Sequence, residues 1–173
     1  RGVGSGTSVI GGTNRMTYQV EIKEVASQPL AAVRFNANAR NIAHTITTTL
    51  SKVWAFIKAR QLPHLGINVV LYHPTPERCD LFSDEGIAME AAVQVAQPFE
   101  GEGEICLSQT PAGKAAATTH LGPYHKLVEA HAAILAWCAE HDTPFAAVHW
   151  RAYGTWPGTA TCPRTDVLIS LQG

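Results

Sequence analysis

Apolar and polar positions along this chain alternate in short runs, broken twice by longer helical stripes. "TYQVEIKEV" (17–25) has a two-residue rhythm and predicts a strand; "PLAAVRF" (29–35) predicts a second. Ile42, Ile46, Leu50, Val53 and Ile57 then recur at steps of four, four, three and four. That is the inward stripe of an amphipathic helix over about 40–60, with Asn38 or Asn41 placed to cap it. "GINVVLYH" (66–73) and "IAMEAAVQV" (87–95) predict two further strands, separated by a polar loop that opens at Pro74 and Pro76. The second half repeats the pattern. "GEICLSQT" (103–110) and "GKAAATTHLG" (113–122) predict strands, and a helix follows from Pro123 to about His141. Its predicted inward stripe is Leu127, Val128, His131, Ile134, Leu135 and Cys138. "PFAAVHWRAYG" (144–154) and "TDVLISL" (165–171) predict the last two strands.

Each half therefore reads strand, strand, helix, strand, strand. Pro29 precedes Trp54 by 25 residues and Pro111 precedes Trp137 by 26; Pro63 to Tyr72 and Pro144 to Tyr153 are both nine. These two matched spacings, with Trp54 and Trp137 each late in its predicted helix, predict a duplicated module with pseudo-repeats at about 16–98 and 99–173. The expected fold class is α+β, with antiparallel sheets, one long helix per half and a ligand cleft between the halves. Residues 1–15 are rich in Gly, Ser and Thr and read as a tag or disordered tail before Met16. Met16 would then be the natural start, with no helix-turn-helix ahead of it.

Side chains alternate along a strand, so His149, Arg151 and Tyr153 share one side. In the expected arrangement Val148, Trp150 and Ala152 pack on the helix, and the His149–Arg151–Tyr153 row looks into the cleft. Asn68, Val70 and Tyr72 are the matching row of the first half. On 87–95, Met89, Ala91, Val93 and Val95 take one face, while Glu90 lies on the other and is expected on the polar side with Arg151.

Composition narrows the function. The 173 residues carry 13 basic and 14 acidic side chains and 46% hydrophobic residues. No basic run supports direct nucleic-acid binding, and no apolar run is long enough for a membrane helix. Cys79, Cys106, Cys138 and Cys162 lack a paired motif and read as reduced, small buried side chains of a cytoplasmic protein. His120, His125 and His131 do not share a spacing that presents a zinc face, so no metal is expected. No P-loop, dinucleotide fingerprint or G-x-S-x-G elbow is present, and no cofactor is expected.

"HLGPYHKLVEAHAAILAW" (120–137), "HWRAY" (149–153) and "TDVLISL" resemble the GyrI-like small-molecule-binding domain, a SOUL/GyrI effector-binding fold. The resemblance covers about Met16 to Gln172. It implies a duplicated β-α-β-β module and a central ligand cleft. It also implies one of three activities: drug or toxin binding, hydrolysis of cyclopropane-bearing alkylating toxins, or gyrase modulation through an unidentified protein partner. Family members commonly carry a glutamate between the Trp and Tyr of the "HWRAY" strand; here Arg151 stands there, which disfavours the hydrolase.

The candidate ligand-binding residues are Phe35, Tyr72, Glu90, His149, Trp150, Arg151, Tyr153 and Trp156. Were the protein an enzyme, Glu90 would be the base, with Tyr153 or Tyr72 polarising the substrate. Each has a structural alternative. Arg151 reads equally as a ligand-facing cation, preferring neutral or anionic ligands, or as half of an ion pair with Glu90. Tyr72 and Tyr153 read as pocket walls or as core tyrosines. Trp54, Trp137 and Trp150 read mainly as core. Trp156, Phe35 and Phe82 read as lid or cleft aromatics.

Overall fold

A computed structural model describes residues 18–154 and 163–172 of the chain. Eight strands and two helices follow the expected order: β1 (Glu21–Val25), β2 (Pro29–Ala37), α1 (Ile42–Arg60), β3 (His64–His73), β4 (Ile87–Val95), β5 (Cys106–Gln109), β6 (Gly113–Leu121), α2 (Leu127–Glu140), β7 (Phe145–Tyr153) and β8 (Arg164–Leu171). A 3-10 turn at Tyr124–Lys126 leads into α2. Asn41 occupies the α1 N-cap, but its side chain accepts from the Asn38 backbone N–H instead of capping the helix.

The fold is α+β, built on one antiparallel sheet ordered β1-β6-β8-β7-β3-β4-β2-β5. Exchanging β1–β4 with β5–β8 leaves that order unchanged, with the β7–β3 seam at its centre. The first strand of each half hydrogen-bonds to the second strand of the other half.

The sheet is rolled. In the strand order β1 and β2 stand six steps apart, about 29 Å on a flat sheet. Residues 26–28 alone join them, and that link reaches about 14 Å at most. The edges must therefore curl towards each other. Thr110 closes the junction: its N–H donates to the Gln28 carbonyl, and its Oγ1 accepts from the Gln28 N–H at 2.9 Å. The helix-free face becomes an interior. Leu30, Ala32, Val69, Leu71, Ala92, Ala115 and Trp150 form one buried cluster there, joined by Val25 and Leu168. Small residues suit that concave side, where opposing strands approach.

Both helices lie on the outer face. Val53 and Ile57 of α1 pack on Ala31, Val33, Val93 and Val95. Leu127, Ala130, Ile134 and Cys138 of α2 pack on Ala116, Val167 and Ile169. The α2 stripe is thus centred one residue away from expectation: Ala130 is buried, whereas Val128 is 64% exposed. Cys79 is exposed, not buried. No helix of the described residues is long and apolar enough to cross a membrane.

Candidate functional site

The helices cover the two flanks of the sheet and leave the β3–β7 seam between them. Register places Asn68 opposite Tyr153, Val70 opposite Arg151 and Tyr72 opposite His149. Residues opposite one another in an antiparallel pair share a face, so the two expected rows do lie side by side. They lie on the helix-bearing face, however, and not on a face turned away from the helices. The apolar alternation misled here because the rolled interior is as dry as the helix interface. Trp150 and Ala152 pack inside the barrel against Leu71 and Val69, not under α2.

Along the seam the aromatic and cationic groups form one cluster. Tyr72 and His149 stack with centroids 4.6 Å apart at 7°. The Arg151 guanidinium carbon lies 5.1 Å from the Tyr72 ring centroid, within cation–π range. Arg151 also acts on Tyr153, two positions along the same face of β7. His131 reaches in from α2, 4.5 Å from His149, and Tyr124 meets Tyr153 edge-on at 5.5 Å. From α1, Trp54 Nε1 donates to Asn68 Oδ1 at 2.9 Å, closing that end. Sequence reasoning missed His131 and Tyr124 as seam residues. The histidine reads from sequence as part of the inward stripe of the helix, without a link to the β7 row, and the tyrosine lies in the turn before α2.

The electrostatics follow from burial beside one cation. Burial pushes the Tyr72 phenol up to about 12, Arg151 opposing and Tyr153 adding to the rise. Burial also raises Tyr153, against the charge and hydrogen bond of Arg151. Burial and Arg151 hold His131 below its ordinary value. Burial first, then the charge of His131, bring His149 down to about 4. At neutral pH the phenols are protonated and both imidazoles uncharged, which leaves the guanidinium as the formal charge of the cluster.

Glu90 does not share this site. It is opposite Leu71 and Arg34 in the ladder, so it points into the barrel interior. Its carboxylate accepts from Ser108 Oγ at 2.7 Å, meets His73 Nε2 at 2.6 Å and has Arg34 Nε at 3.4 Å. The expected Glu90–Arg151 pair is absent among the described residues, and the sheet lies between Glu90 and the phenols of Tyr72 and Tyr153. Phe35 packs against the Val70, Tyr72 and Met89 cluster, which Tyr153 also meets, and lines an open hollow of about 470 Å³ with Arg34, His73 and Glu90. Phe82 is 83% exposed. Trp156 lies outside the described residues. A cavity of about 960 Å³ opens on the barrel interior, lined by Trp150, Val69, Ala152 and Leu168 with a polar rim of Lys23, Gln28, Gln94 and Thr110.

A single curled sheet thus carries two helices on one side, with a polar-aromatic seam between them. The model of the GyrI-like small molecule binding domain matches residues 18–149, and the chain belongs to that family. EcmrR, solved as a complex with DNA, is similar at 20% identity and a TM-score of 0.73, over 90% of this chain and 57% of that one. This chain thus spans little more than half of that protein. SAV2435, solved with tetraphenylphosphonium bound, is similar at 14% identity and a TM-score of 0.60, over 91% and 95% of the two chains. A hydrolase from Listeria innocua is similar at 10% identity and a TM-score of 0.58, over 89% and 92%. These identities speak to the fold. Among curated proteins nothing matches.

Proposed function

We propose that this protein binds an aromatic or amphipathic small molecule in the seam between α1 and α2, against Tyr72, His149, Arg151 and Tyr153. One observation carries the reading: the Nε of Arg151 is buried and has no hydrogen-bond partner among the described residues. A buried donor left unmade costs about 1–3 kcal/mol, so it is retained where something else satisfies it. The stacked Tyr72–His149 pair beside it offers flat apolar surface of the kind that holds aromatic rings. SAV2435 was solved holding a bulky aromatic ion, so in that protein the fold accommodates such a molecule.

Sequestration is favoured over hydrolysis because the seam lacks a carboxylate to activate water, and Glu90 is fully engaged on the other face. A thermal-shift screen of aromatic and amphipathic compounds tests the reading. Hits should give saturable shifts that weaken by at least about tenfold in apparent affinity in Tyr72→Leu, consistent with loss of an aromatic anchor. They should be unaffected in Trp150→Phe, inside the barrel. The reverse pattern would move the site to the barrel cavity and overturn the assignment.

A further inference from the structure

We propose that the molecule held in the seam is an anion, an aromatic carboxylate or its chemical equivalent, and that its charge is received by Arg151 with partial proton uptake on His131 and His149. The inference deepens the reading above and rests on it. Its basis is an account of the acidic side chains. The chain has 14 acidic side chains, and every one lies within the described residues. The ion pairs they form engage Lys23, Arg34, Arg40, Lys52, Arg60, His73, Arg78 and Arg164; Arg151 is in none of them. The acid expected to pair with it, Glu90, is on the opposite face of the sheet. Arg151 therefore stands among rings and phenols with no counter-charge, a costly arrangement unless a ligand or solvent supplies one.

A second group points the same way. His131 Nδ1 is also buried without a partner among the described residues, and its ring lies beside His149, two positions along β7 from Arg151. A guanidinium N–H and an imidazole nitrogen are thus left open in one seam, and each can donate to a carboxylate oxygen, the imidazole when that nitrogen carries a proton. The titratable groups facing this pair are His149, Arg151 and Tyr153 from β7, Tyr72 from β3, His131 from α2 and Tyr124 from the turn before it; His73 acts on His149 from the other face of β3, where it meets Glu90. Facing them from β8 are Thr165, Val167 and Ile169, which do not titrate. The cationic neighbour that disfavours imidazolium in the free protein would be neutralised by a bound anion. Both imidazoles then hold a proton more readily, so binding strengthens as pH falls.

The experiment is calorimetry with three matched probes: biphenyl-4-carboxylate, biphenyl-4-carboxamide and biphenyl-4-trimethylammonium. Titrations run at pH 7.5 and 5.5, in two buffers of different ionisation heat. The carboxylate should bind at least about tenfold more tightly than the amide and should exclude the cation. Its affinity should rise by up to about tenfold at pH 5.5, with a buffer-dependent heat that the amide lacks. Arg151→Met should make carboxylate and amide equal while keeping the melting temperature at or above that of the native chain. If the amide matches the carboxylate, or the cation is preferred, and Tyr72→Leu still abolishes binding, the anion assignment fails while the seam stands. If neither these probes nor the smaller benzoate and benzamide pair shows binding sensitive to Tyr72→Leu, both fall.

Discussion

Two buried acid–base clusters sit back to back on this sheet, and their chemistry is opposite. Burial alone would raise Glu90, yet hydrogen bonds from His73 and Ser108 and the charges of His73 and Arg34 hold it below its ordinary value of 4.5. A carboxylate depressed on folding stabilises the native state above its unfolded pKa, and that contribution is lost as pH falls through the lower folded value. Glu90→Gln should therefore cost on the order of 1–3 kcal/mol at pH 7 by chemical denaturation, and the deficit should shrink below pH 4. A deficit that persists unchanged in acid would mean that packing, not charge, holds Glu90. His149 has the same sign, since folding lowers its pKa too. It is neutral when folded, so its contribution fades as pH falls from 6.5 towards 4, where the unfolded chain takes up the proton first. His149, Arg151 and Tyr153 as one row were legible in the sequence, because strand parity fixes which residues share a side, and Tyr72 joined them through the matched Pro63–Tyr72 and Pro144–Tyr153 spacings. The partnership of Glu90 with Arg151 was not, because parity leaves open which face of one strand matches which face of the next. Only register settles that.

At the level of elements, the ten strands and helices follow the apolar periodicity closely, and β4 matches its expected bounds of 87–95. The polar loop before it ends at Gly86, whose φ is +66°. A Cβ there would lie 2.1 Å from the Ala37 carbonyl oxygen, backbone that cannot yield cheaply. Gly86→Ala should thus destabilise the protein by more than about 2 kcal/mol through strain and clash together, read as a lowered denaturation midpoint with an unchanged slope. A neutral result would show that the loop repacks away from the end of β2. The side of the sheet that meets the helices escaped the sequence for a physical reason. On an open sheet one face is apolar and one is wet, so the apolar row of β7 points to the helix. Here Trp150 and Ala152 are apolar because they face the interior of a rolled sheet.

For the whole molecule, the rolling follows from two short links, 26–28 and 110–112, that must each cross from one edge of the sheet to the other. No local pattern announces that closure; it emerges from strand order, which periodicity does not encode. The consequence is a molecule with two distinct apolar environments: a barrel interior centred on Trp150, and an outer seam centred on Arg151. The account stands on the second being the receptor. Proton–nitrogen NMR reads both at once, since the Arg151 Nε–H and the Trp150 indole N–H report from opposite faces. On titration with biphenyl-4-carboxylate the Arg151 resonance should move downfield and exchange more slowly with water, while the Trp150 resonance stays in place. Movement of Trp150 with a stationary Arg151 would contradict the account.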